Sequence, residues 1–197
     1  MSATTDRHAQ EIMSAARTLP LNADLMYRAA WVGVTAGIAE SSLLMYANDG
    51  SSTDVKWGTN PPEQLTQAER DVARQSLNYP HDKVGNNLDS MGLFQQRPGA
   101  DWGVPADLMN GPASAGKFYH GAGYNEGLMD IDGWETMSVG AAAQAVQKSP
   151  PHDLPLYEQA ANTAKGYMDR LWGGSTPIPP QPPQPTIKTY YQSIYGT

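Results

Sequence analysis

Residues 22 to 46 form an apolar stretch with few breaks. The run is too long for a buried strand and dense enough for a helix covered on most sides, so it predicts a central helix around which the rest of the chain is arranged. Asn22 has the chemistry of an N-cap for that helix. Gly33 and Gly37, four residues apart, weaken an isolated helix but open one side of it to close approach by another element. With 197 residues, 40% of them hydrophobic and 17% charged, the chain has room for one ordinary domain and a tail.

The flanking segments read as mainly α. Residues 6 to 19 place Ile12, Met13, Ala15, Ala16 and Leu19 on one helix face, ending before Pro20. Residues 48 to 59 carry turn formers at almost every position and predict a loop. Asn60 and Pro61 are expected as N-cap and first residue of a short polar helix reaching Leu77, with Glu63 in its first turn. A second loop spans 78 to 90, and further helices are expected over 113 to 119, 139 to 147 and 156 to 171. No period-two pattern of strand length interrupts this reading. After Trp172 the composition turns to proline, so residues 1 to 172 are expected as the domain and 173 to 186 as a semi-rigid polyproline linker. Residues 187 to 197 form a tail too short to fold alone.

Composition removes several function classes. Thirteen basic against 20 acidic residues give a net charge of -7, which disfavours a grip on phosphate backbones, and no nucleic-acid partner is expected. The absence of cysteine excludes disulfides, thiolate metal sites and a cysteine nucleophile together. His8, His81, His120 and His152 are scattered without metal-ligand spacing, glycine-rich stretches lack the lysine of a phosphate loop, and no serine sits in a nucleophile elbow. No metal and no cofactor are expected. The first eight residues lack the apolar core of a signal peptide, and no apolar run has the length of a transmembrane segment, so export by another route is expected.

Glu40 stands out as an isolated acid in apolar sequence, between Val32-Gly33-Val34-Thr35-Ala36-Gly37-Ile38-Ala39 and Ser41-Ser42-Leu43-Leu44-Met45. Facing a cleft at the helix end, it would be partly desolvated and its pKa would rise toward that of a general acid. Periodicity equally allows Glu40 on a solvated stripe of an amphipathic helix. Downstream, Ser90-Met91-Gly92-Leu93-Phe94-Gln95-Gln96 follows. Read together, Glu40-Ser41 and this segment resemble the lytic transglycosylases, a superfamily related to goose-type lysozyme, with Phe94 in the place of a methionine. Over about residues 9 to 161 the chain is similar to lysozyme-like domains of actinobacteria and their phages, through Gly92-Leu93-Phe94-Gln95-Gln96-Arg97-Pro98, Trp102-Gly103, Lys117-Phe118-Tyr119, Gly133-Trp134-Glu135-Thr136-Met137 and Ala143-Gln144-Ala145-Val146-Gln147-Lys148-Ser149.

The resemblance implies a lysozyme-like domain that cleaves the bond between N-acetylmuramic acid and N-acetylglucosamine in peptidoglycan glycan strands, with Glu40 as the acid and later the base. Ser41, Gly92, Phe94, Gln95, Gln96 and Gln147 are then expected to line or contact the sugar cleft. A transglycosylase needs no second carboxylate, because the C6 hydroxyl of the muramic acid closes a 1,6-anhydro ring. A two-carboxylate muramidase does, and Asp54 and Asp89 are its candidates. Each also reads as a loop acid with a local backbone role. The implied owner is a phage acting at the host cell wall, as an endolysin released through a holin-type hole or as a virion-borne lysin. The superfamily's Ala-Tyr-Asn-x-Gly segment, whose tyrosine bonds the acid, falls by order on residues 145 to 149, where no tyrosine stands. That leaves open a wall-binding or structural protein without catalysis. Gly123-Tyr124-Asn125-Glu126-Gly127 spells a similar string but reads as a glycine-rich loop. Trp57, Trp102, Trp134, Tyr119 and Tyr124 are candidates for stacking on sugars or for core packing.

Overall fold

The computed structural model describes residues 2–56 and 59–173. Residues 174–197, with the expected linker and tail, and Trp57 lie outside the described residues. The architecture is mainly helical: α1 (Ala3–Ala16), α2 (Ala23–Ser41), α3 (Gln67–Gln75), the single turn α4 (Pro105–Leu108), α5 (Gly111–His120), α6 (Val139–Gln147) and α7 (Leu154–Leu171). Two three-residue strands, β1 (Tyr46–Asn48) and β2 (Lys83–Gly85), pair in parallel with Tyr46 opposite Lys83 and Asn48 opposite Gly85. Strands this short leave no alternation for a sequence reading to find.

Helix α2 is the centre, packed against α1, α6 and α7. Its N-cap is Asn22, whose side chain accepts the Leu25 amide at 2.9 Å. A Cβ on Gly33 would stand 2.2 Å from the Tyr119 hydroxyl and 2.9 Å from Ile12, so α1 and α5 both press on that side. The helix stops at Ser41, short of the expected residue 46. Ser42 and Leu43 turn into the left-handed region (φ 56° and 58°), and their amides close on the carbonyls of Ile38 and Gly37. The apolar run continues past this point because Leu43 and Met45 are core residues of a turn and a strand entry: it records burial rather than helix.

The polar helix starts later than expected. Residues 59 to 64 are tied back across the loop, with Lys56 N–H donating to Glu63 O (2.7 Å), Glu63 N–H to the Thr59 hydroxyl (3.0 Å) and Val55 bridging Gln64. Asn60 is therefore not an N-cap, and Glu63 lies outside the helix. Thr66 caps α3 in a reciprocal box with Glu69, a Thr-x-x-Glu signal that outweighs the earlier Asn-Pro. His8, expected at the surface or in packing, is buried with Nδ1 2.8 Å from Glu11 and Nε2 2.9 Å from Asp82, joining α1 to the chain before β2. Among the described residues no group of three or more His, Asp or Glu side chains could hold a metal ion, and no helix is long and apolar enough to cross a membrane.

Candidate active site

The last turn of α2 carries Glu40, and three other segments converge on it. The first is the loop 91–97. Met91 N–H donates to Gln96 O at 3.0 Å, closing the loop on itself, and Gly92 N–H donates to Tyr46 O at 2.8 Å. Ser41, immediately after the acid and buried, donates its hydroxyl to Leu93 O (2.8 Å), with Gly37 O at 3.0 Å. Its hydroxyl thus clamps the loop to the helix. The second segment is the end of α6, where Gln147 Nε2 donates to Phe94 O at 3.1 Å. Successive carbonyls of the loop are held by Ser41 on one side and Gln147 on the other.

The third segment is the first part of α7. The Tyr157 hydroxyl donates to Glu40 Oε1, and Ser149 Oγ lies 2.9 Å from the same hydroxyl. A phenol has one proton. With that proton on Glu40, the Ser149 hydroxyl must be the donor in the second contact, and the chain of donation runs Ser149 to Tyr157 to Glu40. Among the described residues Tyr157 is the hydrogen-bond partner of the Glu40 carboxyl, leaving the other oxygen for a ligand. Burial lifts the Glu40 carboxyl above the ordinary carboxylate range; the Tyr157 hydrogen bond pulls it partly back, and the charge of Asp153 adds to the rise. Burial, reinforced by the neighbouring Glu40 charge, pushes the Tyr157 phenol up, so it stays a donor. A half-buried carboxyl poised in this way can hold a proton at a higher pH than an exposed one, deliver it to an acceptor and take one back.

The remaining candidates are placed differently. Phe94 is buried and stacked on Phe118 with ring centroids 4.9 Å apart, so its side chain belongs to the core and its carbonyl to the site. Gln96 is also buried, donating to Ser114 O at 3.3 Å. Gln95, half-buried at φ 49°, donates to Gly92 O at 3.1 Å, and Gly92 itself sits at φ 78°. Asp89 is buried, with one oxygen on Arg97 Nε and the other on the Gly99 amide, which makes it the brace of the segment after the loop. Asp54 is exposed, accepts from the Ser52 hydroxyl at 3.3 Å and lines a separate cleft of about 530 Å³ with Val55, Lys56, Thr59, Pro62, Asn87 and Leu88. Trp102, Trp134 and Tyr119 are buried, whereas Tyr124 is 71% exposed.

Ser41 and Gln147 meet the backbone of the Gly92 to Gln96 segment at the Leu93 and Phe94 carbonyls, and Glu40 directly precedes Ser41 on α2. Tyr157, Ser149 and Asp153 were not among the expected residues. They belong to a stretch whose sequence, Ser149-Pro150-Pro151-His152-Asp153-Leu154-Pro155-Leu156-Tyr157, reads as a helix entry, and nothing in its spacing separates a tyrosine that bonds an acid from one that fills a core. No model of a protein family matches this chain, and no curated protein matches it in sequence.

Proposed function

We propose that this chain is a peptidoglycan-cleaving enzyme with a lysozyme-like domain, in which Glu40 is the single acid and base of a lytic transglycosylase. The observation that carries the reading is the Glu40 carboxyl at the end of a buried helix, raised by burial and held by a tyrosine donor. The contacts that tie Ser41 and Gln147 to the Gly-Leu-Phe-Gln segment support it, because they set the segment that resembles the family's sugar-cleft lining beside the acid. A non-catalytic reading draws on the missing tyrosine at residues 145 to 149; Tyr157 supplies that contact from α7, which favours catalysis.

In this mechanism protonated Glu40 gives its proton to the glycosidic oxygen linking C1 of N-acetylmuramic acid to the departing N-acetylglucosamine. The C1–O bond breaks, the leaving sugar departs as an alcohol, and positive charge develops at C1. The Glu40 carboxylate then takes the proton of the muramyl C6 hydroxyl as its oxygen bonds C1, which closes the 1,6-anhydro ring and returns the acid to its starting form. Tyr157 holds the carboxyl in place through both steps. The engagement of both Asp89 oxygens and the position of Asp54 in a cleft not lined by Glu40 favour one carboxylate over two. The resemblance supports a phage lysin acting at an actinobacterial wall, released through a holin-type hole or carried by the virion.

Mass spectrometry of mycobacterial or related peptidoglycan digested with the protein tests this directly. Anhydro-muramyl ends, absent with Glu40→Gln, are the expected products. Reducing muramyl ends would assign a muramidase instead, and products cut only at peptide or amide bonds would overturn the reading.

A further inference from the structure

Asp153 stands beside the site and has no task in the mechanism above. It heads the inward stripe of α7, which runs on through the buried Tyr157, Ala160, Ala164 and Tyr167 at helical spacing. A carboxylate is out of place there unless the helix needs it as a cap, and this helix does not. Asp153 occupies the N-cap position, but its backbone is already helical (φ -84°, ψ -7°) and its side chain makes no capping hydrogen bond.

The turn that carries it is stiff. Pro150, Pro151 and Pro155 restrict the backbone on both sides, and Asp153 N–H donates to Pro150 O at 2.9 Å. Residues four apart on a helix lie one above the other, so the Asp153 carboxylate belongs to the face from which the Tyr157 hydroxyl reaches Glu40. Its side chain is 34% exposed, and its ion-pair partner among the described residues is His152, with Nε2 at 3.5 Å and a side chain 81% exposed. A pair so open to water neutralises little of the charge.

Charges on the other elements around α2 are engaged elsewhere. His8 and Glu11 of α1 bond each other, and Arg97 in the 91–97 loop is bound to Asp89. Lys148, at the end of α6, lies 3.4 Å from Glu126, and Glu158 on α7 accepts the Ser138 hydroxyl. Asp153 therefore bears on the acid through space, adding to the lift that burial gives the Glu40 carboxyl and acting in the same sense on the Tyr157 phenol.

We propose that Asp153 is a positioning residue for the reaction: its charge, held one helical turn from Tyr157, keeps the proton on Glu40 until the glycosidic oxygen of the substrate takes it. This role rests on the reading of Glu40 as a glycan-cleaving acid. Tyr157 and Asp153 then oppose each other from one helix face. The tyrosine stabilises the carboxylate, the aspartate favours the carboxylic acid, and the working state of Glu40 is the balance of the two.

The test follows the Glu40 carboxyl itself, by carbon NMR titration of the full chain labelled in glutamate, with the Glu40 resonance assigned by its loss in Glu40→Gln. Asp153→Asn keeps the volume and removes the charge, and should move the Glu40 midpoint to lower pH. Asp153→Glu, which keeps the charge, should leave the midpoint close to that of the parent. Melting temperatures should change little, because the side chain makes no cap bond and one exposed ion pair. Salt should narrow the gap between the parent and Asp153→Asn, since a partly exposed charge is screened, whereas a packing contact would not respond in this way. In glycan release, the alkaline limb of Asp153→Asn should lie at lower pH than that of the parent, opposite in direction to removal of the Tyr157 hydroxyl, with the rate on the acidic side unchanged. A Glu40 midpoint that stays in place in folded Asp153→Asn would overturn the role of Asp153 and leave that of Glu40 standing. A shifted midpoint in a parent chain that cleaves no glycan would overturn the catalytic reading and keep the electrostatic one. Should Asp153→Asn fail to fold, the parent alone decides: salt should draw its Glu40 midpoint down, and a midpoint indifferent to salt would overturn the proposal.

Discussion

Replacing Tyr157 with phenylalanine deletes one oxygen from a buried position and takes from Glu40 the donor that stabilises its ionised form. A hydrogen bond to a charged group contributes about 1.5–3 kcal/mol. Only the part of that energy that distinguishes the carboxylate from the neutral carboxyl moves the Glu40 equilibrium. The direction follows from which form is stabilised. Burial already lifts the carboxyl and the tyrosine restrains the rise, so its removal lets the pKa climb further. A general acid must be protonated to act, and activity falls as pH passes above its pKa. The alkaline limb of the rate profile of Tyr157→Phe should therefore lie at higher pH than that of the parent, with a lower plateau because the carboxyl is less firmly placed. Release of soluble glycan fragments from purified walls, followed across the pH range, reads both effects. Ser149→Ala should shift the limb in the same direction by less, since it only weakens Tyr157 as a donor. An alkaline limb that stays in place in Tyr157→Phe, with the protein folded, would mean that the limb belongs to another group and that Glu40 is not the titrating acid.

Glu40→Gln should slow cleavage by about a hundredfold to ten-thousandfold and keep the fold. Its stability relative to the parent should rise with pH: a folded-state pKa above the unfolded one gives the parent stability that is complete below the unfolded value and lost as pH climbs through the folded value, and the amide escapes that loss. Melting temperatures of the two chains at acidic and neutral pH check the sign. Asp89→Asn should lower stability by about 1.5–3 kcal/mol, read by denaturant titration, because it removes the charged partner of Arg97 from a buried position while the guanidinium keeps some access to solvent. Asp54→Asn should change stability by no more than about 0.5 kcal/mol and leave glycan cleavage largely intact, whereas a loss of rate comparable to that of Glu40→Gln would indicate a two-carboxylate hydrolase.

What the sequence disclosed and what it withheld divide along a physical line. The central helix was legible because an apolar run capped by Asn22 has few other solutions, and α6 was found at its observed ends, Val139–Gln147, because Ser138 caps it and an apolar run follows. The end of α2 was not legible: Ser42 and Leu43 occupy left-handed backbone without glycine, a conformation local sequence disfavours at about 1–2 kcal/mol per residue and tertiary contacts impose. The same strain falls two residues after the acid, where the chain must leave the helix abruptly to bring Tyr46 under the Gly92 amide.

Glu40 could be singled out because a carboxyl among apolar neighbours violates the local pattern, and violations are visible in one dimension. Tyr157 violates nothing. A tyrosine on the buried face of a helix is ordinary, and its chemistry comes from lying against a residue 117 positions away. The same reasoning applies to Ser41 and Phe94, whose expected place along a sugar cleft followed from the resemblance; their contacts run through a hydroxyl turned to the Leu93 carbonyl and a backbone oxygen held by Gln147. Glu40 is thus visible in the local sequence pattern, but its pKa is raised first by burial and then adjusted by Tyr157 and Asp153, more than a hundred positions away, which is why substitutions at Tyr157 and Ser149 test the site more sharply than further substitutions along α2.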